Sequence, residues 1–195
     1  AFAVQADIAD EVQVMRMFQQ LDQQDGALRV LVNNAGVLFT QCRVEDLDAE
    51  RIQRVFATNV IGSFICCREA VKRMSTAHGG LGGAIVNVSS AASRLGAPNE
   101  YVDYAASKGA MDTLTKGLSL EVAAQGIRVN SVRPGLIYTE MHADGGEPGR
   151  VDRVASSLPM GRGGQANEVA EAILWLASDA ASYVTGTFID AAGGR

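Results

Sequence analysis

Residues 28–36 read Leu28-Arg29-Val30-Leu31-Val32-Asn33-Asn34-Ala35-Gly36, and this stretch decides the fold. Leu28 to Asn33 is short, apolar and β-branched, which is the pattern of a fully buried parallel strand. Asn33 to Gly36 then ends it with small, turn-forming residues. Parallel neighbours need crossover helices, so helical periodicity is expected on both sides. Upstream, Val14, Met17, Phe18 and Leu21 recur at three and four, after a short strand over Phe2 to Gln5 that runs into Asp7-Ile8-Ala9-Asp10. Downstream, Ile52, Val55, Phe56, Val60 and Phe64 predict a long helix over 47–74, broken by the glycines at 79, 80, 82 and 83.

The alternation continues to the end of the chain. Ala84 to Ser89 is a further strand, and Met111, Leu114, Leu118 and Val122 mark a helix over about 103–125 that Gly126 stops. Ile127 to Arg133 is the next strand, halted at Pro134-Gly135. A polar, glycine-rich stretch from Thr139 to Arg150 reads as a mobile loop. A helix over 166–178, capped by Gln165 or Asn167, precedes a last strand over 187–190. No hairpin signal, repeat or linker interrupts the series. The expectation is an α/β doubly wound parallel sheet forming one domain over residues 1–195.

Composition excludes several classes. The chain has 195 residues, 47% hydrophobic and 20% charged, which argues against disorder. Its longest apolar run, Ala172 to Ala177, is far below the roughly 18 residues of a membrane span. A net charge of −5 gives no footing for nucleic acid or anionic lipid. Cys42, Cys66 and Cys67 are an odd set with two adjacent, so a disulfide framework is not expected and a cytoplasmic, reducing setting is. No metal-ligand spacing accompanies them, and buried core thiols are the expectation for the adjacent pair.

The strongest chemical signal is Tyr104-Ala105-Ala106-Ser107-Lys108. Four residues apart on a helix, phenol and ammonium share one face, and a nearby cation is expected to lower a phenol pKa that starts near 10. Such a tyrosine suits proton exchange with an alcohol. On its own Tyr-x-x-x-Lys is weak, since any helix can carry it as a surface pair. Context adds weight. Ser89-Ser90, Asn34-Ala35-Gly36 and Pro134-Gly135 all end strands at the carboxyl edge, where open α/β sheets bind ligands, and small residues there let a flat cofactor approach.

With Asn33-Asn34-Ala35-Gly36, Asn59, Ser90, Tyr104-x-x-x-Lys108 and Pro134-Gly135 followed by Thr139, the chain resembles the classical short-chain dehydrogenase/reductases, Rossmann-like oxidoreductases. It resembles in particular bacterial uncharacterised and glucose 1-dehydrogenase-like members. The resemblance runs through the closing Val184-Thr185-Gly186 and Gly193-Gly194. It implies an NAD- or NADP-dependent enzyme acting on the CH–OH group of a secondary alcohol, or on the matching ketone, and a homotetramer built through the long helices. By position, it makes Tyr104 the general acid/base, Lys108 its pKa-lowering partner and ribose ligand, and Ser90 the group orienting the substrate oxygen. Asn59 is implied to hold a water linking Lys108 to solvent. Asp7 and Ile8 are implied at the adenine, Asn34, Ala35 and Gly36 beside the adenosine ribose, and Pro134, Gly135, Ile137 and Thr139 around the nicotinamide.

Two departures from the family pattern stand out. Ser90 is one residue further from Tyr104 than in many members, which leaves Ser89 as a fallback. The glycine-rich strand–turn–helix that binds the pyrophosphate is absent. On that pattern the first two βα units, roughly 50 residues, are missing. The expectation is then a fragment with a bare strand edge, a weak grip on dinucleotide, and no residue to sort NAD from NADP.

Other residues carry bland readings. His78 is expected in a solvated turn. His142, Arg150, Arg153 and Arg162 are read as solvated lid residues; a substrate role is the sharper reading for His142, and attraction of an anionic substrate, diluted by Asp144, Glu147 and Asp152, the sharper one for the three arginines. Arg94, Glu100 and Tyr101 either shape the substrate mouth or are plain loop surface. Trp175, with Ile173, Leu174 and Leu176, reads as a core stripe and subunit contact. A catalytically silent dinucleotide sensor or interaction protein on the same fold is the rival function, although it would need none of Asn59, Ser90, Tyr104 and Lys108. An extended-type epimerase or dehydratase is disfavoured, because only about 60 residues follow Pro134.

Overall fold

The computed structural model describes residues 1–195. Its elements run α1 (Glu11–Leu21), β1 (Val30–Asn33), α2 (Ala49–Phe56), α3 (Ser63–Met74), β2 (Gly83–Val88), α4 (Ala92–Leu95), α5 (Val102–Val122) and β3 (Ile127–Pro134). Then come β4 (Ile137–Tyr138), α6 (Met141–Asp144), α7 (Arg150–Val154), β5 (Gly164–Gln165), α8 (Ala166–Ala177) and β6 (Phe188–Ala191). The main sheet is parallel throughout, in the order β1-β2-β3-β6.

Helices cover both faces of this sheet. Val14 and Phe18 of α1, Cys67 and Met74 of α3, and Met111 of α5 pack with Ile85 and Val129 on one face. Val169 and Leu176 of α8 meet Val86 and Val132 on the other. Alternation along β2, with Ile85 to one cluster and Val86 to the other, follows from the period of two in a strand. Local chemistry sets the ends: Asp10 accepts from the Val12 and Gln13 amides to cap α1. Of the two expected caps of α8 it is Gln165, whose amide donates to Glu168 at 2.7 Å.

Several expectations change. The run from Leu28 to Asn33 is not a fully buried strand. β1 begins at Val30 and lies at the sheet edge, where α8 does not reach, so Val30 and Val32 stay 40% and 39% exposed. Phe2 to Gln5 forms no strand, because it has no neighbouring strand to bond with, and Phe2 is largely exposed. The helix over 47–74 is interrupted by a π-helical turn at Ala57–Gly62, and Ile52 before it and Phe64 after it are exposed. The 139–150 stretch holds a short helix, α6, and is tied down by Tyr101, whose hydroxyl donates to the Gly145 carbonyl at 3.2 Å. Trp175 and Leu174 are not core, since α8 turns the side carrying Val169, Ile173 and Leu176 to the sheet and these two residues lie off that side. The buried thiols read as expected: burial pushes Cys66 and Cys67 up to about 11 and about 12.

One buried carboxylate ties the α1/α3 face together. Glu69 is 2% exposed and accepts from Lys72 and Arg68 at 2.9 Å and from Arg73 at 3.0 Å. Burial alone would raise its pKa, but these three cations hold it at about 2. Stability from Glu69 is therefore present above the unfolded carboxyl value near 4.5 and is lost as pH falls toward 2. Glu69→Gln is expected to cost about 3 kcal/mol at pH 7 and much less at pH 3, measured by urea denaturation. Equal losses at both pH values would count against this account.

Candidate active site

The carboxyl ends of β1, β2 and β3 open onto a crevice of about 620 Å³. Asn34, Ala35 and Gly36 line it after β1, and Ser90 after β2. Tyr104 and Lys108 line it from α5, and Pro134, Gly135, Ile137 and Thr139 after β3. The sequence-predicted residues thus converge, with three exceptions. Asp7 is exposed, and its carboxylate accepts from its own Ala9 amide at 2.9 Å. Ile8 packs on the core and against Gly62, where an added methyl group would sit 2.6 Å from the Ile8 carbonyl. Neither reaches the crevice, because that stretch turns into α1 behind the π-helical turn.

Asn59 is the third. It sits in that π-helical turn, 1% exposed, and does not line the crevice but braces it. Its Oδ1 accepts from the Val37 amide at 2.7 Å, and its Nδ2 donates to the Val37 carbonyl at 2.9 Å and to Ser107 Oγ at 3.0 Å. Both amide protons are used on protein, so the side chain clamps the loop after β1 to α5. The Arg51–Asp103 ion pair, at 2.8 Å, holds α2 to the start of the same helix.

Ser90, not Ser89, is the serine that meets the tyrosine. Ser89 is buried and donates to the Lys108 carbonyl at 3.1 Å, a purely structural bond. The extra residue before Tyr104 is absorbed by α4 and the turn through Gly96 and Ala97. Lys108 is 4% exposed, and its Nζ donates to the Val88 carbonyl at 2.8 Å and lies 5.6 Å from the Tyr104 ring centre.

The electrostatics correct one expectation. The Tyr104 pKa is not lowered below its ordinary value. Burial raises it, and the Ser90 hydroxyl and the Arg150 charge pull it only part of the way back. Burial also lowers Lys108 to about 8, with Asp112 opposing. Desolvation dominates both groups because each charged form would sit against a dry wall. At neutral pH the phenol is protonated and the ammonium is still largely charged.

Comparison with known proteins places this geometry. A family model described as enoyl-(acyl carrier protein) reductase matches residues 1–195. An uncharacterized oxidoreductase of Escherichia coli K12, YgfF, is 75% identical over 195 residues, all of this chain and 79% of that protein. The crystal structure of a short-chain type dehydrogenase/reductase from Mycobacterium marinum superposes with a TM-score of 0.90 at 34% identity, over all of this chain and 75% of the other. The chain belongs to the short-chain dehydrogenase/reductase family. A tyrosine-to-phenylalanine variant of ElxO with NADPH bound is a further structural relative of this short-chain dehydrogenase/reductase, with a TM-score of 0.87, 33% identity, and cover of 97% of this chain and 76% of that one.

Within this short-chain dehydrogenase/reductase the crevice also takes residues whose place the sequence left open. Tyr101 is buried, Arg150 is half-buried, and both line it together with Met141 and His142. His142 Nε2–H donates to the Ile137 carbonyl at 2.9 Å, and burial with the nearby Arg150 charge keeps its pKa low, so the ring is neutral. A glycine-rich, charged stretch carries no periodicity to betray an inward face. The only signal was its place after Pro134-Gly135. By contrast His78 is exposed, Arg153 pairs with Glu147, and Arg162 pairs with Glu168, as solvated residues do.

Proposed function

We propose that this chain carries the catalytic part of an NAD(P)-dependent oxidoreductase that interconverts a secondary alcohol and a ketone, with Tyr104 as general acid/base. What carries this reading is the meeting of a protonated phenol, the Ser90 hydroxyl and a buried ammonium at one crevice on the carboxyl edge of the sheet. The wall fits a nicotinamide and its ribose. Lys108 spends one bond on Val88 and keeps further N–H donors, and Gly36 lets a ligand come close beside it, since a methyl there would sit 3.4 Å from the Lys108 Nζ. Lys108 would bond the ribose, Asn34, Ala35 and Gly36 would line it, and Pro134, Gly135, Ile137 and Thr139 would hold the nicotinamide. Bound nicotinamide supplies or accepts the hydride.

The chain's own residues handle the proton. A raised phenol pKa leaves Tyr104 loaded to protonate a ketone oxygen, while Ser90 holds that oxygen in place. The homotetramer that the resemblance implies belongs to the same proposal; exposed Phe64 of α3 and Leu120 of α5, on the long helices, support subunit contacts there. Unpaired cysteines support a cytoplasmic setting, and no helix is long and apolar enough to cross a membrane.

The test is dinucleotide absorbance with the whole protein that carries this chain, using NADH and NADPH against ketones and secondary alcohols. Ketone-dependent oxidation is expected, flat through neutral pH and falling above about 8 as Lys108 loses its proton. Saturable dinucleotide binding with no turnover on any ketone would favour a silent sensor and overturn the proposal.

A further inference from the structure

The 139–150 stretch brings one cation inside the crevice. Arg150 opens α7, its side chain is 14% exposed, and it lines the crevice. One of its terminal nitrogens donates to Glu100, and the guanidinium lies over the Tyr101 ring at 5.2 Å, so the group is held from two sides. Its Nε–H is buried and has no acceptor. A buried donor left unpaired is costly, and more so on a charged group. The site is thus one acceptor short.

The surrounding charge points to what that acceptor is. The carboxylates on the crevice wall, Glu140 and Asp144, are exposed at its rim, whereas the cations Lys108 and Arg150 lie inside. His142 is neutral and brings no counter-charge, so the one carboxylate paired with Arg150 is Glu100, which lies outside the crevice lining. Leu38, Met141 and Ile173 supply apolar surface in the same crevice. A guanidinium presents a planar fork that matches a carboxylate through two parallel N–H bonds, which a neutral carbonyl or hydroxyl cannot equal.

We propose that Arg150 determines substrate specificity, and that the substrate is a ketone or secondary alcohol bearing a carboxylate, which the guanidinium binds where it lines the crevice. This rests on the oxidoreductase reading above. The carboxylate takes no part in the bond changes. It anchors the molecule so that its carbonyl meets Ser90 and Tyr104.

Two measurements on the whole, dinucleotide-loaded protein test this. The first is turnover of oxopentanoates, with the ketone at successive carbons, against their methyl esters. At least one acid is expected to exceed its ester by about 10–100-fold in kcat/KM, and Arg150→Met to bring that ratio near one. The second is binding of pentanoate against pentanamide by ligand-observed NMR, which needs no turnover. Pentanoate is expected to bind about tenfold tighter or more, Arg150→Met to abolish the difference, and Arg150→Lys, which keeps charge without the fork, to retain part of it. Should Arg150→Met fail to fold by circular dichroism, the Lys variant and the parental ratios decide. Equal affinity for the two probes, ester turnover matching acid turnover, or an acid preference surviving in Arg150→Met would each overturn the proposal. Pentanoate preference without turnover of any ketone would leave the anion site standing and sink the oxidoreductase reading instead.

Discussion

Tyr104→Phe is expected to cut turnover by about 10²–10⁴-fold, the usual worth of a positioned acid/base group. Phenylalanine keeps the ring that lies 5.6 Å from the Lys108 ammonium and removes only the group that exchanges a proton. The loss should therefore fall on kcat, with a far smaller change in the dinucleotide dissociation constant from fluorescence titration. Ser90→Ala, which removes a positioning hydroxyl and leaves the phenol, should lose less. A Tyr104→Phe protein with parental turnover would end the proposed chemistry, whatever Arg150 does.

Lys108→Met is expected to separate stability from activity. Burial holds the ammonium at about 8 against an ordinary 10.5, so between those values the unfolded chain binds more protons than the folded one. By linkage the Lys108 contribution makes the protein more stable as pH rises through that window, and the cost of the buried charge is greatest below it, at about 3 kcal/mol. Methionine removes that cost but leaves the Val88 carbonyl without its 2.8 Å donor, about 1 kcal/mol. The variant should thus be more stable than the parent by about 2 kcal/mol at pH 7, with the gap closing between pH 8 and 10. Cys66 and Cys67, raised by burial, oppose the rise at high pH. They are present in both proteins, so the difference isolates Lys108. Urea denaturation at several pH values reads it, and parallel stability curves would show that the lysine carries no such cost. Turnover should fall steeply in the same variant.

These expectations divide according to where their information resides. The strands after which the site is built were legible because Val30 to Asn33, Ala84 to Val88 and Ile127 to Arg133 are apolar runs closed by small residues. Tyr104 and Lys108 were legible because helical spacing alone puts them on one face. The preference for Ser90 over Ser89 came from the family resemblance and not from local pattern, since successive residues point opposite ways and packing is what shows that Ser89 bonds the Lys108 carbonyl. The brace formed by Asn59 was not legible, since it joins segments 22 and 48 residues apart.

By itself, then, the sequence determined the parallel α/β order and the phenol–ammonium pair, because both are written in local periodicity. Tertiary structure alone decided the direction of the pKa shifts, the exposed face of β1, and the inward turn of Arg150. Each of these depends on how much water is excluded by residues distant in the chain, and desolvation is a property of the assembled walls that no local pattern encodes.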